Sequence, residues 1–202
     1  MQNGRFLGNS LGDSEKQSFY TYGAKAGVTY KANGRNYLYA NGFIGTKAPQ
    51  FRDVFLSPRN RNDVVPGVDP YSIQSLEAGF LHRAPTLRAR VTGFVTNFKN
   101  ETESNLFFAQ LLGEFSTIVR TGVDRQHMGL EGAFEWKPIP SWVFTGAANA
   151  GYYHYTSRPR MYQSADNTGN VGLDSITVYQ DNFLVPRTPQ TAATLGVKYK
   201  ES

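Results

Sequence analysis

The chain has 202 residues, no cysteine and a formal net charge of +5, which excludes a disulfide framework and a thiolate metal site. No apolar run reaches the roughly 18 residues that a membrane-spanning helix needs. Lysines and arginines are scattered rather than gathered in a run or on one face, so the positive balance reads as solvated charge and nucleic acid is not an expected partner. With 12 Tyr, 14 Phe and 20 Gly, the composition favours strands, because aromatic side chains suit a pleated surface. A mean hydropathy of -0.45 leaves a membrane barrel open, since its strands alternate and average out as polar.

Residues 1–16 read as a loop or strand remnant. The N-terminus MQNGRFLGNSLGDSEKQ has neither an apolar core nor a cleavage site, so it is not a signal peptide. From residue 17 onward, alternation predicts strands over 17–31, 36–46, 72–82, 87–99, 116–136, 142–156 and 187–200. The connections between them alternate in length: ANGR (32–35), 47–71, RAPT (83–86), 100–115, KPIPS (137–141) and 157–186. Asn33-Gly34 suits a tight turn, and Pro85, Pro138 and Pro140 suit the other short ones. Short turns at one rim and long loops at the other are the pattern of an up-and-down outer-membrane barrel. A soluble meander has no reason to sort its loops in this way.

The faces agree with that reading. One side of 17–31 runs Tyr20, Tyr22, Ala24, Ala26, Val28, Tyr30, and one side of 142–156 runs Trp142, Phe144, Gly146, Ala148, Ala150, Tyr152. Aromatics close both ends of each. With a rise of about 3.4 Å per residue and a tilt of roughly 40°, Trp142 to Tyr152 spans about 26 Å along the membrane normal. The apolar band of such barrels is about 25 Å tall. Tyr20, Tyr22, Tyr30, Trp136, Trp142 and Tyr152 are thus expected as membrane girdle. In 128–136, Met128, Leu130, Gly132, Phe134 and Trp136 are expected to meet lipid. The opposite parity makes Lys25, Glu77, Arg88, Arg90, Glu131 and Lys198 the lumen-facing candidates, either as salt bridges and hydrated contacts or as a permeation path. Arg120, Asp124 and Gln126 share parity with the apolar set. Either a β-bulge near His127 repairs the register, or the upper half of the strand projects above the membrane.

Other constellations carry less. In 47–71, Phe51, Arg52, Phe55, Arg59 and Arg61 are ligand-loop candidates, because arginine forks suit phosphate or carboxylate. A solvated loop whose phenylalanines pack locally is the alternative. Asp166, Asn167, Asn170 and Asp174 miss the spacing of a calcium loop. Asn100-Glu101-Thr102 fits a glycosylation acceptor. His82, His127 and His154 lie on different strands without metal-ligand spacing. No nucleophile-elbow motif is present, so neither a catalytic residue, a metal nor a cofactor is expected.

Four stretches carry a family resemblance. YLYANGFIGTKAPQFRDVFLSPR (37–59) contains a KAP-type motif, and IQSLEAGF (73–80) an E-x-G strand. Residues 119–136 hold a G-[VIL]-E signature as Gly129-Leu130-Glu131, and VPRTPQTAATLGVKY (185–199) is a Pro-led strand. Together they resemble the C-terminal part of the β-barrel of TonB-dependent outer-membrane receptors, Bacteroidetes type.

The fold expected is therefore all-β: an antiparallel up-and-down transmembrane β-barrel, partial, with about seven or eight strands of a larger barrel over 17–202 and the plug domain absent. The resemblance implies a Gram-negative outer-membrane location and uptake of a scarce nutrient, siderophore-, cofactor- or glycan-like. Its implied partners are outer-membrane lipid and lipopolysaccharide, the energy-coupling protein TonB through a missing N-terminal segment, and a small-molecule or glycan ligand. Two rivals differ in class: a soluble carbohydrate-binding β-sheet module and a non-transporting outer-membrane surface protein. The intact mass of the protein from the native outer membrane separates these readings. A receptor predicts several times the chain's 22.5 kDa, whereas 22.5 kDa in that fraction contradicts energised import.

Overall fold

The computed structural model describes residues 15–57, 63–111, 113–165 and 171–201. The described residues form one antiparallel sheet and a single helical turn. In chain order the elements are β1 (Gly23–Lys31), β2 (Asn36–Lys47), α1 (Phe51–Val54), β3 (Tyr71–Arg83), β4 (Leu87–Ala109), β5 (Glu114–Trp136), β6 (Trp142–Tyr155), β7 (Arg160–Ala165), β8 (Val171–Thr177) and β9 (Thr191–Tyr199). The sheet order is β1-β2-β3-β4-β5-β6-β9, with β7 on the upper half of β5 and β8 on β7. β6 and β7 pair successive stretches of β5, and β8 and β9 pair β7 and β6 in turn. The strands therefore make seven up-and-down passes, one for each alternating segment of the sequence. The sheet is open, with β1 and β9 at its two lateral edges.

The lower turns are short and tied to one another. Asn33 ends β1 by accepting, on Oδ1, the N–H groups of Arg35 at 2.9 Å and Asn36 at 3.0 Å. The Asn-Gly pair thus works through the asparagine side chain; a left-handed glycine is not needed. Neighbouring turns are stitched together by Arg83 N–H to Arg35 O at 2.7 Å and Lys137 N–H to Thr86 O at 2.7 Å.

Register places the apolar residues of every pass on one face. Val28, Ala40, Ala78, Gly93, Leu130 and Ala150 form one row across six strands, and Tyr30, Leu38, Phe80, Val91, Gly132 and Ala148 form the next. At the lower edge an aromatic chain closes this face: Trp136 to Phe144 at 5.5 Å, Phe144 to Trp142 at 6.2 Å and Trp142 to Tyr199 at 5.2 Å between ring centroids. At the upper edge Tyr152 stacks on His154 at 4.3 Å. Between these edges the large side chains are bare, Leu130 at 62% and Leu195 at 83% exposure. A continuous exposed apolar surface of this kind marks an interaction or membrane surface. The hydrophobic clusters lie higher. Leu56 and Val65 from the β2–β3 connection pack on Val119 and Tyr162, and Val123 packs with Tyr153, Tyr155 and Val185.

Three expectations are corrected. The segment 100–115 is not a long loop. β4 and β5 are 23 residues each, and the chain turns directly after Ala109, with Gly113 in the left-handed region (φ 67) and its N–H on Ala109 O. The register irregularity is also not at His127, which pairs Thr96 in regular register; it lies above, between Phe98 and Glu103. The 157–186 connection likewise is not a plain loop, since it carries β7 and β8.

Gly129, of the Gly129-Leu130-Glu131 signature, sits where a Cβ would lie 2.6 Å from Ala150 O and 2.8 Å from Gly151 Cα, both backbone. Three residues on, the closest approach to a Cβ at Gly132 is 3.9 Å. Gly129→Ala is therefore predicted to cost about 1–3 kcal/mol through overpacking, with Gly132→Ala close to neutral. Equilibrium unfolding in lipid vesicles checks this, and equal effects would contradict it.

Candidate ligand site

The upper half of the β4–β5 hairpin is shaped by an irregularity at residues with little cost for it. Asn100 (φ 63) and Gly122 (φ 73) both take left-handed conformations, which asparagine and glycine tolerate best. The register shifts between Phe98 and Glu101 and again between Glu101 and Glu103. Side chains hold the slip. Asn100 N–H donates to Asp124 Oδ1, Asp124 N–H to Ser157 Oγ, and Ser157 Oγ–H to Gly122 O, each at 2.8 Å.

The consequence is a four-charge network. Arg125 Nη2 donates to Glu101 Oε1 at 2.6 Å, and the ion pair also brings Arg125 Nε to 2.6 Å from Glu101 Oε2. Arg120 Nη2 donates to Glu103 Oε2 at 2.5 Å and its Nη1 to Gln180 Oε1 at 2.7 Å. Arg125 also lies over the Phe98 ring at 5.3 Å. Glu101 is buried, and burial pushes its carboxyl above the ordinary carboxylate range while Arg125 pulls against that by hydrogen bond and charge. Charge-assisted arginine–carboxylate hydrogen bonds are among the stronger ones in proteins. They keep both strands of the hairpin in one register.

Beside this network lies a cleft of about 640 Å³. Its walls come from the end of β2 and the turn at α1, from β4 and β5, and from the segment before β9. The cationic residues are Lys47, Arg52, Arg120, Arg125 and Arg187, and the acidic ones Asp53, Glu101 and Glu103. Asp53 accepts the Ser104 hydroxyl on Oδ1 and lies 3.6 Å from Arg52 Nε. Arg187 stands in a turn after Pro186, where the chain leaves and re-enters its pairing with β6. Gln190 substitutes its side chain for the ladder there, accepting Tyr153 N–H on Oε1 at 2.7 Å. Arg187 takes φ 61, the conformation that glycine supplies in a type II turn. For a side chain of this size it costs about 1–2 kcal/mol.

The sequence-predicted residues fall in several places. Lys25, Glu77, Arg88, Arg90, Glu131 and Lys198 all lie on the face opposite the apolar rows, strung along it rather than gathered. Lys25 and Glu77 line one groove with Asn41, whose Nδ2 donates to Glu77 at 2.7 Å. Arg90 and Glu131 line another, of about 360 Å³, floored by Ala133, Ala147 and Ala192. Arg90 Nε donates to Tyr39 Oη and Thr92 Oγ1, both at 2.9 Å. Arg88 pairs in register with Glu135, and Lys198 lies at the lower edge opposite Val143.

Of the ligand-loop candidates, Arg52 lines the large cleft. Phe55 is buried, with Phe51 packed edge-on against it at 5.3 Å. Arg59 and Arg61 lie outside the described residues, as do Asp166, Asn167 and Asn170. Tyr30, Trp136, Trp142 and Tyr152 sit on the apolar face. Tyr22 precedes β1 and is tied to Thr46 through both backbone groups, and Tyr20 is fully open. Sequence reasoning missed Glu101, Glu103, Arg125, Lys47 and Arg187. Folding the sequence about 110–113 would have set the two glutamates against the two arginines.

The TonB dependent receptor-like β-barrel family matches residues 2–202 of the chain. The chain belongs to that family. No curated protein and no solved structure matches it. The seven antiparallel passes are thus wall of a partial transmembrane barrel, and the family is one of outer-membrane receptors and transporters in Gram-negative bacteria. In this receptor the Glu101–Arg125 pair should be indispensable to the upper hairpin. Arg125→Ala is predicted to cost roughly 3 kcal/mol at neutral pH by leaving a buried carboxylate uncompensated. A carboxyl with a raised folded-state pKa stabilises fully below its unfolded pKa and less as pH rises. The deficit should therefore be small in acid and grow through the carboxylate range; a pH-independent deficit in unfolding measurements would contradict the assignment.

Proposed function

We propose that the protein is an energised outer-membrane receptor that takes up a scarce nutrient, with the apolar face against lipid and the charged face lining the lumen. The observation that carries the reading is the two-sidedness of the sheet. Bare aliphatic rows closed by aromatic rings lie on one face, and Lys25, Glu77, Arg90 and Glu131 lie on the other. Intramembrane charges of this kind face a barrel interior. Above the aromatic edge at Tyr152, β4 and β5 continue for about 14 residues, or roughly 36 Å at barrel tilt. That extension carries the packed β2–β3 connection, the charge network and the cleft. Capture of ligand there and release through the lumen, driven by TonB acting on a plug, is the mechanism the family implies.

The soluble carbohydrate-binding reading lacks support from packing, because the lower sheet's apolar rows have no facing layer among the described residues. Fitness separates transport from a purely structural surface role. Host strains with and without the gene are grown in media limited in turn for iron, for a corrinoid-type cofactor and for simple carbon with complex glycan supplied. The expected result is a growth defect in one medium alone, reproduced by removing the coupling protein. Equal growth in all three would favour a non-transporting surface protein.

A further inference from the structure

We infer that Lys47 and Arg187 form an anion subsite in the cleft beside the charge network, holding a carboxylate or phosphate group of the transported ligand. This deepens the uptake reading and rests on it. The cleft wall has five cations and three carboxylates, and all three carboxylates are already engaged. Arg125 holds Glu101, Arg120 holds Glu103, and Ser104 with Arg52 holds Asp53. Lys47 and Arg187 have no acidic partner among the described residues.

They come from distant parts of the chain. Lys47 ends β2, and Arg187 stands on the turn before β9, yet both line the same space. The turn is built to present that side chain. Pro186 sets its first corner, Gln190 repairs the interrupted pairing with β6 through its own side chain, and Arg187 carries the left-handed backbone. An arginine at a position where glycine is unstrained is a reason to look for a use of its guanidinium. Planar guanidinium forks match carboxylate and phosphate oxygens, and a lysine adds a point charge. Thr102, Ser104 and Asn105 add neutral hydrogen-bonding groups to the wall, while Tyr155, Val185 and Pro186 add apolar surface. The ligand class that fits is a small anionic molecule with an apolar flank.

The test is isothermal titration of the protein purified from its native outer membrane in detergent. Citrate and pyrophosphate are the probes, titrated separately to distinguish carboxylate from phosphate recognition. Three single variants are compared: Arg187→Gly, Lys47→Gln and Lys200→Gln. At least one probe is expected to give saturable binding, weakened between about tenfold and about a hundredfold by either cleft variant. Lys200→Gln, at the lower rim beside the 137–141 turn, should leave it unchanged. Arg187→Gly suits the turn's backbone, so its unfolding midpoint should be no lower than wild type, and a loss of binding is then a loss of the charge. No saturable heat from either probe, or the same affinity in all variants, overturns the subsite. The growth experiment reads uptake independently, so failure of the subsite leaves that reading standing.

Discussion

Every feature of this chain depends on one constraint: in lipid, a backbone N–H or C=O must find its partner within the protein. Antiparallel strands satisfy it by pairing laterally, and β1 to β6 are paired residue for residue from the lower turns up to Phe98 and Arg125. Such pairing leaves side chains to alternate, so the two faces meet two different solvents. Leucine, phenylalanine and small residues fill one, and charges with their hydrogen-bond partners the other. The bare aliphatic rows, an error in a soluble sheet, are what a lipid-facing wall needs.

Regularity ends where the lipid-facing rows end. Above Tyr152 and Met128 the chain can afford left-handed Asn100 and Gly122, an interrupted β6–β7 pass, and a ladder bond made by the Gln190 side chain. It also gains hydrophobic clusters of ordinary protein kind, with Val119 and Val123 fully buried. The wall is thus rigid and plain within the apolar band and built for recognition above it. The bulge links the two regions. By shifting register it brings Glu101 and Glu103 to Arg125 and Arg120, and these pairs form one wall of the cleft.

The sequence was most legible where one solvent sorts each face. The period of two located β2 and β3 to within a residue at each end, and the lower ends of β4 and β5 without error, because the outward positions Leu38 to Ile44, Leu76 to Phe80, Leu87 to Val95 and Met128 to Trp136 are all apolar. Legibility failed for physical reasons above Phe98. There both faces meet water, so KNETESN carries no alternation, and β4 read as a loop although it continues as strand. The misfit of Arg120 and Asp124 was visible, but its cause is a bulge at Asn100 and Gly122, which backbone conformation decides and hydropathy does not record. β7 and β8 are short, 6 and 7 residues, and they form because the extended β5 offers an unpaired edge. Phe55 looked like a ligand contact because sequence does not show that Phe51 and the 48–57 connection cover it.

The central claim is that residues 128–136 of β5 have lipid on one side and a polar lumen on the other. The 202 residues contain no cysteine, so single cysteines carrying spin labels can be placed at each of these positions in turn. Collision with oxygen, which concentrates in lipid, is measured against collision with a water-soluble nickel complex for the protein in bilayers. The account predicts a period of two, with oxygen dominant at 128, 130, 132, 134 and 136 and the nickel complex dominant at 129, 131, 133 and 135. Uniform access of the nickel complex at all nine positions would contradict it.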